Sequence, residues 1–254
     1  MLRSLNEILG YELMGKDGQM GKVHDFFFSD DDWTIRYLVM DNGPWIFGRK
    51  VLISPHVLQQ PVWASESIPV NLTRDEVKSS PDVDVAKPVS RKYEEELLAH
   101  YNWPVYWGVT PTQSGHPFFA PPYLFTDKGD ASDETAKQSH LRSAREMVGY
   151  HIFATDGEVG SVSDFTLEDE NWQIRYMLVD TAASELDAEK KVLVALEWIS
   201  KINVGSGEVQ IDLTQDAIKF SPAFDPTLPV NRQYEEVLYD YYGRPKYWQV
   251  VEKA

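Results

Sequence analysis

The sequence predicts a mainly β protein with flanking helices, built as two tandem small β-barrels, each followed by a short helix and a docked C-terminal helix. Three observations predict it. The first is repetition: a shift of 139 positions lays residues 2–41 on 141–180 with 18 of 40 identical. Beyond Asp180 the shift becomes 141, and Lys50-Val51-Leu52, Tyr93-Glu94-Glu95 and Tyr106-Trp107 fall on Lys191-Val192-Leu193, Tyr234-Glu235-Glu236 and Tyr247-Trp248. The second is a series of short apolar runs parted by Gly, Pro and Asp, which is strand-and-turn punctuation. The third is an aromatic stripe at helical spacing near the end of each copy. The modules are expected at 1–108 and 140–254. An aromatic, Pro-rich and then polar connector over 109–139 joins them.

Within each copy the elements follow in order. A short segment ends at Gly10, and Tyr11–Met14 leads into Asp17-Gly18, a hairpin signal. The next run, Met20 to Phe28, alternates imperfectly, because Val23 and Phe26 differ in parity. Val162 and Phe165 repeat the irregularity, which predicts a bulge near Asp25 and Asp164. Thr34–Met40 and Gln173–Val179 are apolar on both faces and predict a central, doubly covered strand. Short strands are expected at Val51–Ile53, Pro61–Trp63 and Ile68–Leu72, with counterparts at Val192–Val194, Ile199–Val204 and Val209–Leu213. Thr73 and Thr214 precede acidic residues and read as N-caps of a single-turn helix. A second helix starts near Ser90 or Asn231. Its stripe, Tyr93, Leu97 and Tyr101 (Tyr234, Leu238 and Tyr242), is expected to be buried, leaving Glu94, Glu95 and Glu96 in water.

Composition narrows the function. The chain has 254 residues, 24 Lys+Arg against 40 Asp+Glu, a formal charge of −16 and no cysteine. Without cysteine there is no disulfide framework, thiolate metal site or cysteine nucleophile. So acidic a balance disfavours nucleic acid and anionic lipid as partners, since both reward clustered cations. No apolar run is long enough for a membrane span. A cytoplasmic protein is the expectation.

Chemical motifs are sparse. The histidines, His24, His56, His100, His116, His140 and His151, lack the spacings that place two ligands on one face, and no His position is shared by the copies. Asp30-Asp31-Asp32 and Glu168-Asp169-Glu170 lack the alternation and closing Glu of a calcium loop and read as hairpin tips. No Gly-x-Ser-x-Gly elbow occurs. Gly15 and Gly18 serve a turn before a strand, where no phosphate loop can form. The sequence therefore predicts no catalytic residues, no metal ligands and no cofactor.

Taken in order, Gly10-Tyr11, Asp17-Gly18, Gly21-Lys22-Val23, Asp25-Phe26, Trp33 to Val39, Lys50 to Pro55 and Val70 to Thr73 form a pattern that resembles the PRC-barrel domain. That family is named from the photosynthetic reaction centre H subunit and is also present in the ribosome maturation factor RimM. Asp156-Gly157, Gly160-Ser161-Val162, Asp164-Phe165 and Ile174-Arg175-Tyr176 repeat it. The resemblance covers about residues 3–82 and 142–223. It implies a small β-barrel used for protein–protein docking, with no catalytic residues of its own.

The copies also disagree. Trp45, Ile46 and Phe47 form an apolar turn whose counterpart is hydrophilic, and such a turn needs a cover. Together with Trp107 and Trp248, these residues are the interaction candidates, since Trp dominates both core lids and interface hot spots. The expected function is a non-catalytic scaffold that binds a protein partner or a second copy of the chain. A small-ligand or cation sensor with a pocket between the barrels is the alternative.

Overall fold

The computed structural model describes residues 1–43, 49–85, 87–107, 140–182 and 190–250. The first repeat holds β1 (Leu2–Ser4), α1 (Leu5–Ile8), β2 (Glu12–Gly15), β3 (Gly18–Ser29), β4 (Ile35–Asp41), β5 (Lys50–Ile53), β6 (Ser67–Pro69), α2 (Arg74–Lys78) and α3 (Arg91–Tyr101). The second holds β7 (Leu141–Ser143), α4 (Ala144–Met147), β8 (His151–Ala154), β9 (Gly157–Glu168), β10 (Gln173–Asp180), β11 (Lys191–Ala195), β12 (Ile199–Asn203), β13 (Glu208–Ile211), α5 (Gln215–Lys219), α6 (Arg232–Tyr242) and α7 (Tyr247–Val250). No helix among the described residues is long and apolar enough to cross a membrane.

Local chemistry sets the helix ends. Thr73 and Glu76 form a reciprocal capping box on α2, and Thr214 caps α5 through the Ala217 N–H. Ser90 and Asn231 accept from the N–H groups of Tyr93 and Tyr234, and α3 and α6 stop at left-handed Asn102 and Gly243.

Two compact units emerge, and their membership does not follow the repeats. One comprises Gly10–Asp31 and Arg36–Arg142; the other comprises Met1–Leu9, Asp32–Ile35 and Ser143–Ala254. In the first, the strand order is β5-β4-β3-β2-β6, with β7 added on β3. In the other it is β11-β10-β9-β8-β13-β12, with β1 added on β9. Each repeat thus lends its opening strand to the sheet of its sibling. In β1 on β9 the antiparallel register is Leu2 to Glu168, Arg3 to Leu167 and Ser4 to Thr166. The cause lies in strand length. β9 runs 12 residues and β8 only four, with β8 reaching Ser161 at one end, so the rest of that edge needs another donor row. Leu2-Arg3-Ser4 and Leu141-Arg142-Ser143 are identical, so either segment suits either edge.

Among the described residues the expected closed barrels are not formed: each sheet stays open. In the second sheet the end strands β11 and β12 are consecutive in the chain, yet the 3₁₀ turn Leu196–Trp198 separates them. In the first sheet, 3₁₀ turns at Pro55–Val57 and Trp63–Ser65 occupy the seam before β6. Pro61–Trp63, expected as a strand, contributes only an isolated Val62–Ser67 bridge and then a 3₁₀ turn. Proline has no N–H to extend a ladder there.

In the second repeat the bulge is where the parity break placed it. β10 pairs Leu178 with Asp164 and then Val179 with Val162, so Ser163 is the extra residue. Nearby, Gly21 and Gly160 occupy equivalent positions, and a methyl group on either would overlap the carbonyl oxygen of Asp41 or Asp180. The sheets can bend there because these residues lack a Cβ. Leu38, Val39 and Met40 on β4 are all buried, as a doubly covered strand requires.

Candidate functional site

The strongest side-chain constellation is a buried carboxylate cluster that occurs once in each unit. In the first, Glu94 is 0% exposed on the opening turn of α3, against its expected place in water. Its Oε2 accepts from the Tyr37 hydroxyl on β4 at 3.3 Å and from the Tyr106 hydroxyl in the segment after α3. Arg91 stands 3.5 Å from Oε1, and the Arg36 guanidinium lies 4.1 Å above the Tyr106 ring. In the other unit, the Tyr176 and Tyr247 hydroxyls reach Glu235 Oε1 at 2.7 and 2.9 Å, and Arg232 reaches Oε2 at 3.0 Å. Arg175 covers the Tyr247 ring at 4.6 Å.

Helix periodicity explains the burial that was missed. Glu94 lies three and four residues before the buried Leu97 and Leu98, and therefore on the packed face, whereas Glu95 and Glu96 point away. That spacing was the available signal. Identity between the copies was not, because exposed Glu95 is repeated too.

Burial raises the Glu94 pKa, while the Tyr106 hydroxyl and Arg91 oppose the rise. The phenols of Tyr37, Tyr106 and Tyr176 are pushed up, first by burial and then by the facing carboxylate, so they stay protonated and donate. Tyr247 is pushed up to about 12 for the same reasons. In the first unit a neutral imidazole extends the network. Arg91 donates to His140 Nδ1 at 3.1 Å, and Nε2 lies 2.8 Å from the Tyr106 oxygen, the arrangement of a ring protonated on Nε2. Burial and the neighbouring Arg91 push this histidine down to about 4. Met1 occupies the equivalent position in the repeat, so the imidazole link belongs to one unit.

Such a cluster fastens a helix and its tail to a sheet. Two phenols donate to each carboxylate and an arginine stands beside it, while Glu94 Oε1 has no hydrogen-bond partner among the described residues. Among the described residues no group of three or more His, Asp or Glu is gathered to hold a metal.

Trp107 and Trp248 are half-buried on the outer side of these clusters. Arg91 lies 4.0 Å from the Trp107 ring and Arg232 lies 4.1 Å from the Trp248 ring. Each Trp also meets its neighbouring Tyr106 or Tyr247 edge-on. Trp45, Ile46 and Phe47 lie outside the described residues, as does the connector over 109–139.

A surface difference between the copies was not singled out from the sequence. Phe220, Val237 and Tyr241 are 66%, 51% and 41% exposed. Their counterparts are Ser79, Glu96 and His100. Val237 and Tyr241 lie one turn apart on α6, and the Tyr241 hydroxyl donates to the Ala217 carbonyl of α5 at 3.0 Å, just before Phe220. The matching Ser79 and His100 are 3.5 Å apart, so the two segments meet at that point in both copies. One unit carries an apolar face where the other carries a hydrophilic one.

The family model for the PRC-barrel domain matches residues 140–218. No curated protein matches the chain. A solved structure described as a 16S ribosomal RNA processing protein, RimM, from Pseudomonas aeruginosa is similar at 17% identity and a TM-score of 0.24. That match covers 33% of this chain and 57% of the other, little more than half its length. With its family match and its bulged sheet, the segment 140–218 is a PRC-barrel domain, and the similar sheet of the first repeat points to a second, PRC-like module.

Proposed function

We propose that this is a non-catalytic docking or scaffold protein built from two PRC-type modules, and that the second engages a protein partner through Phe220, Val237 and Tyr241. The observation that carries the reading is the asymmetry of that face. Two copies of one fold share their buried carboxylate clusters, yet only one exposes an aromatic and two further apolar-bodied side chains where the other presents Ser, Glu and His. Exposed apolar groups clustered on one face mark interaction sites. The acidic surface adds selectivity against nucleic acid and directs the site towards a protein whose rim is neutral or basic.

The test transplants the first repeat's surface onto the second. Phe220→Ser, Val237→Glu and Tyr241→His together alter exposed positions only and should leave the thermal midpoint within a few degrees. Affinity capture from the native cell, with chemical crosslinking through the chain, should then lose the partners that the unmodified protein retains. Identical partners and identical crosslinks with the triple variant would sink the reading.

A further inference from the structure

The proposed docking face has a charged rim, and the rim is one-sided. Val237 and Tyr241 lie one turn apart on α6, and Phe220 ends α5 beside them. Three exposed carboxylates border this row: Asp216 in the first turn of α5, and Glu236 and Asp240 on α6. Asp216 precedes Ala217, whose carbonyl accepts from the Tyr241 hydroxyl. Burial and then the Asp216 charge raise the pKa of that phenol, which sets the carboxylate near the ring. Glu236 and Asp240 adjoin Val237 and Tyr241 in the chain. Among the described residues, Asp216 and Glu236 have no ion pair.

The neighbouring cations are withdrawn. Lys246 lies 2.8 Å from Asp240, and the lysine is 17% exposed against 69% for the carboxylate. Arg244 lies 3.0 Å from Asp212, at 34% against 65%. Lys219, next to Phe220, is half-buried. The charge presented around the apolar row is therefore negative. In the first repeat Ala99 and Asn71 stand in place of Asp240 and Asp212, and Lys92 in place of Gln233. The exposed apolar side chains and these carboxylates thus occur on the same copy. A second copy of the chain is a poor occupant, because a twofold contact sets the rim against itself and each chain already carries a charge of −16.

We infer that this face takes a cationic amphipathic segment of a partner protein, its apolar side chains set against Phe220, Val237 and Tyr241 and its Lys or Arg residues reaching Asp216, Glu236 and Asp240. The inference rests on the docking reading and names the class of partner. Apolar anchors at the centre hold the complex, while charges at the rim steer the encounter and select the partner. The same carboxylates repel anionic lipid and nucleic acid.

Three labelled peptides serve as probes on the full chain, read by fluorescence anisotropy. One is an amidated Leu/Lys helix with leucine along a single face. The second carries Glu for every Lys, and the third shuffles the first so that no face is apolar. The Leu/Lys helix should bind about ten-fold more tightly than either, or better. Asp216→Asn with Glu236→Gln and Asp240→Asn should weaken it about ten-fold at low salt and flatten its salt dependence, as expected when exposed pairs are removed. Phe220→Ser with Val237→Glu and Tyr241→His should abolish it, although that variant carries one carboxylate more, which separates docking from bulk charge attraction. All of these positions are exposed, so the variants should fold. Leu/Lys binding that survives loss of the apolar row would remove the docking face itself, and the inference with it. Equal binding of the Lys and Glu helices, lost in the apolar variant, would leave the face standing and overturn only the cationic partner. A Leu/Lys helix that does not bind, or that binds the amide variant as tightly as the unmodified chain, would overturn it as well.

Discussion

At the scale of single residues, the cluster around Glu94 sets two titrations against each other. His140 has an ordinary pKa of 6.5 and is pushed down to about 4, first by burial and then by Arg91, with Arg36 and Arg142 adding to it and Asp31 opposing. The unfolded chain therefore takes up a proton in a range where the folded ring stays neutral. Its contribution to stability is intact above about pH 6.5 and is lost as pH falls from there to about 4. Glu94 acts in the opposite sense. Burial raises its pKa, so its contribution is complete below its ordinary 4.5 and diminishes as pH rises above that. His140→Gln keeps a polar group beside Arg91 and removes only the first titration. Urea midpoints for the variant should be flatter than those of the unmodified protein between pH 6.5 and 4, and should run parallel to them above pH 7. Parallel curves throughout would mean that the imidazole does not sit in this network. Glu235 has no such partner, since Met1 stands where His140 would be, and the second cluster adds no histidine to the acid limb.

At the scale of elements, local chemistry was legible and exchange was not. The hairpin at Asp17-Gly18, the caps at Thr73, Ser90, Thr214 and Asn231, and the bulge beside Asp164 each follow from a residue type with one cheap conformation or partner. The burial of Glu94 was legible in principle from its spacing to Leu97, but a charged residue there reads as solvated unless its partners are known, and Tyr37 is 57 residues away. The destination of Leu2-Arg3-Ser4 was not legible at all. Its identity to Leu141-Arg142-Ser143 means that local preference cannot choose between the two acceptor edges. The absence of native cysteine allows a direct check. Ser4 and Thr166 are directly opposed small residues in the ladder, within the range that a disulfide spans. Ser4→Cys with Thr166→Cys should oxidise to an intrachain link, visible as a faster band on a non-reducing gel that disappears on reduction. If β1 instead paired with its own repeat, the cysteines would remain free. A band of twice the mass would show the exchange running between chains.

At the scale of the whole molecule, the exchange changes what a domain means for this chain. The first unit contains Arg142 and the strand leading to it, and the second contains Met1–Leu9, so neither repeat owns a complete sheet. Stability is then shared: unfolding one repeat strips a strand from the sheet of the other and leaves a row of backbone groups unpaired. A tandem pair of self-contained modules would behave differently, each melting by its own equilibrium. Cutting the chain separates these cases. A specific protease site placed between residues 130 and 133, within the connector, leaves one fragment holding β1 to α3 and another holding β7 to α7. With β1 seated on β9 and β7 on β3, the fragments hold each other by reciprocal ladders after cleavage. They should co-elute on gel filtration in native buffer and part only in denaturant, and the cut protein should still unfold in one transition. Fragments that separate in native buffer would show that each repeat completes its own sheet, and the exchanged topology would have to be given up.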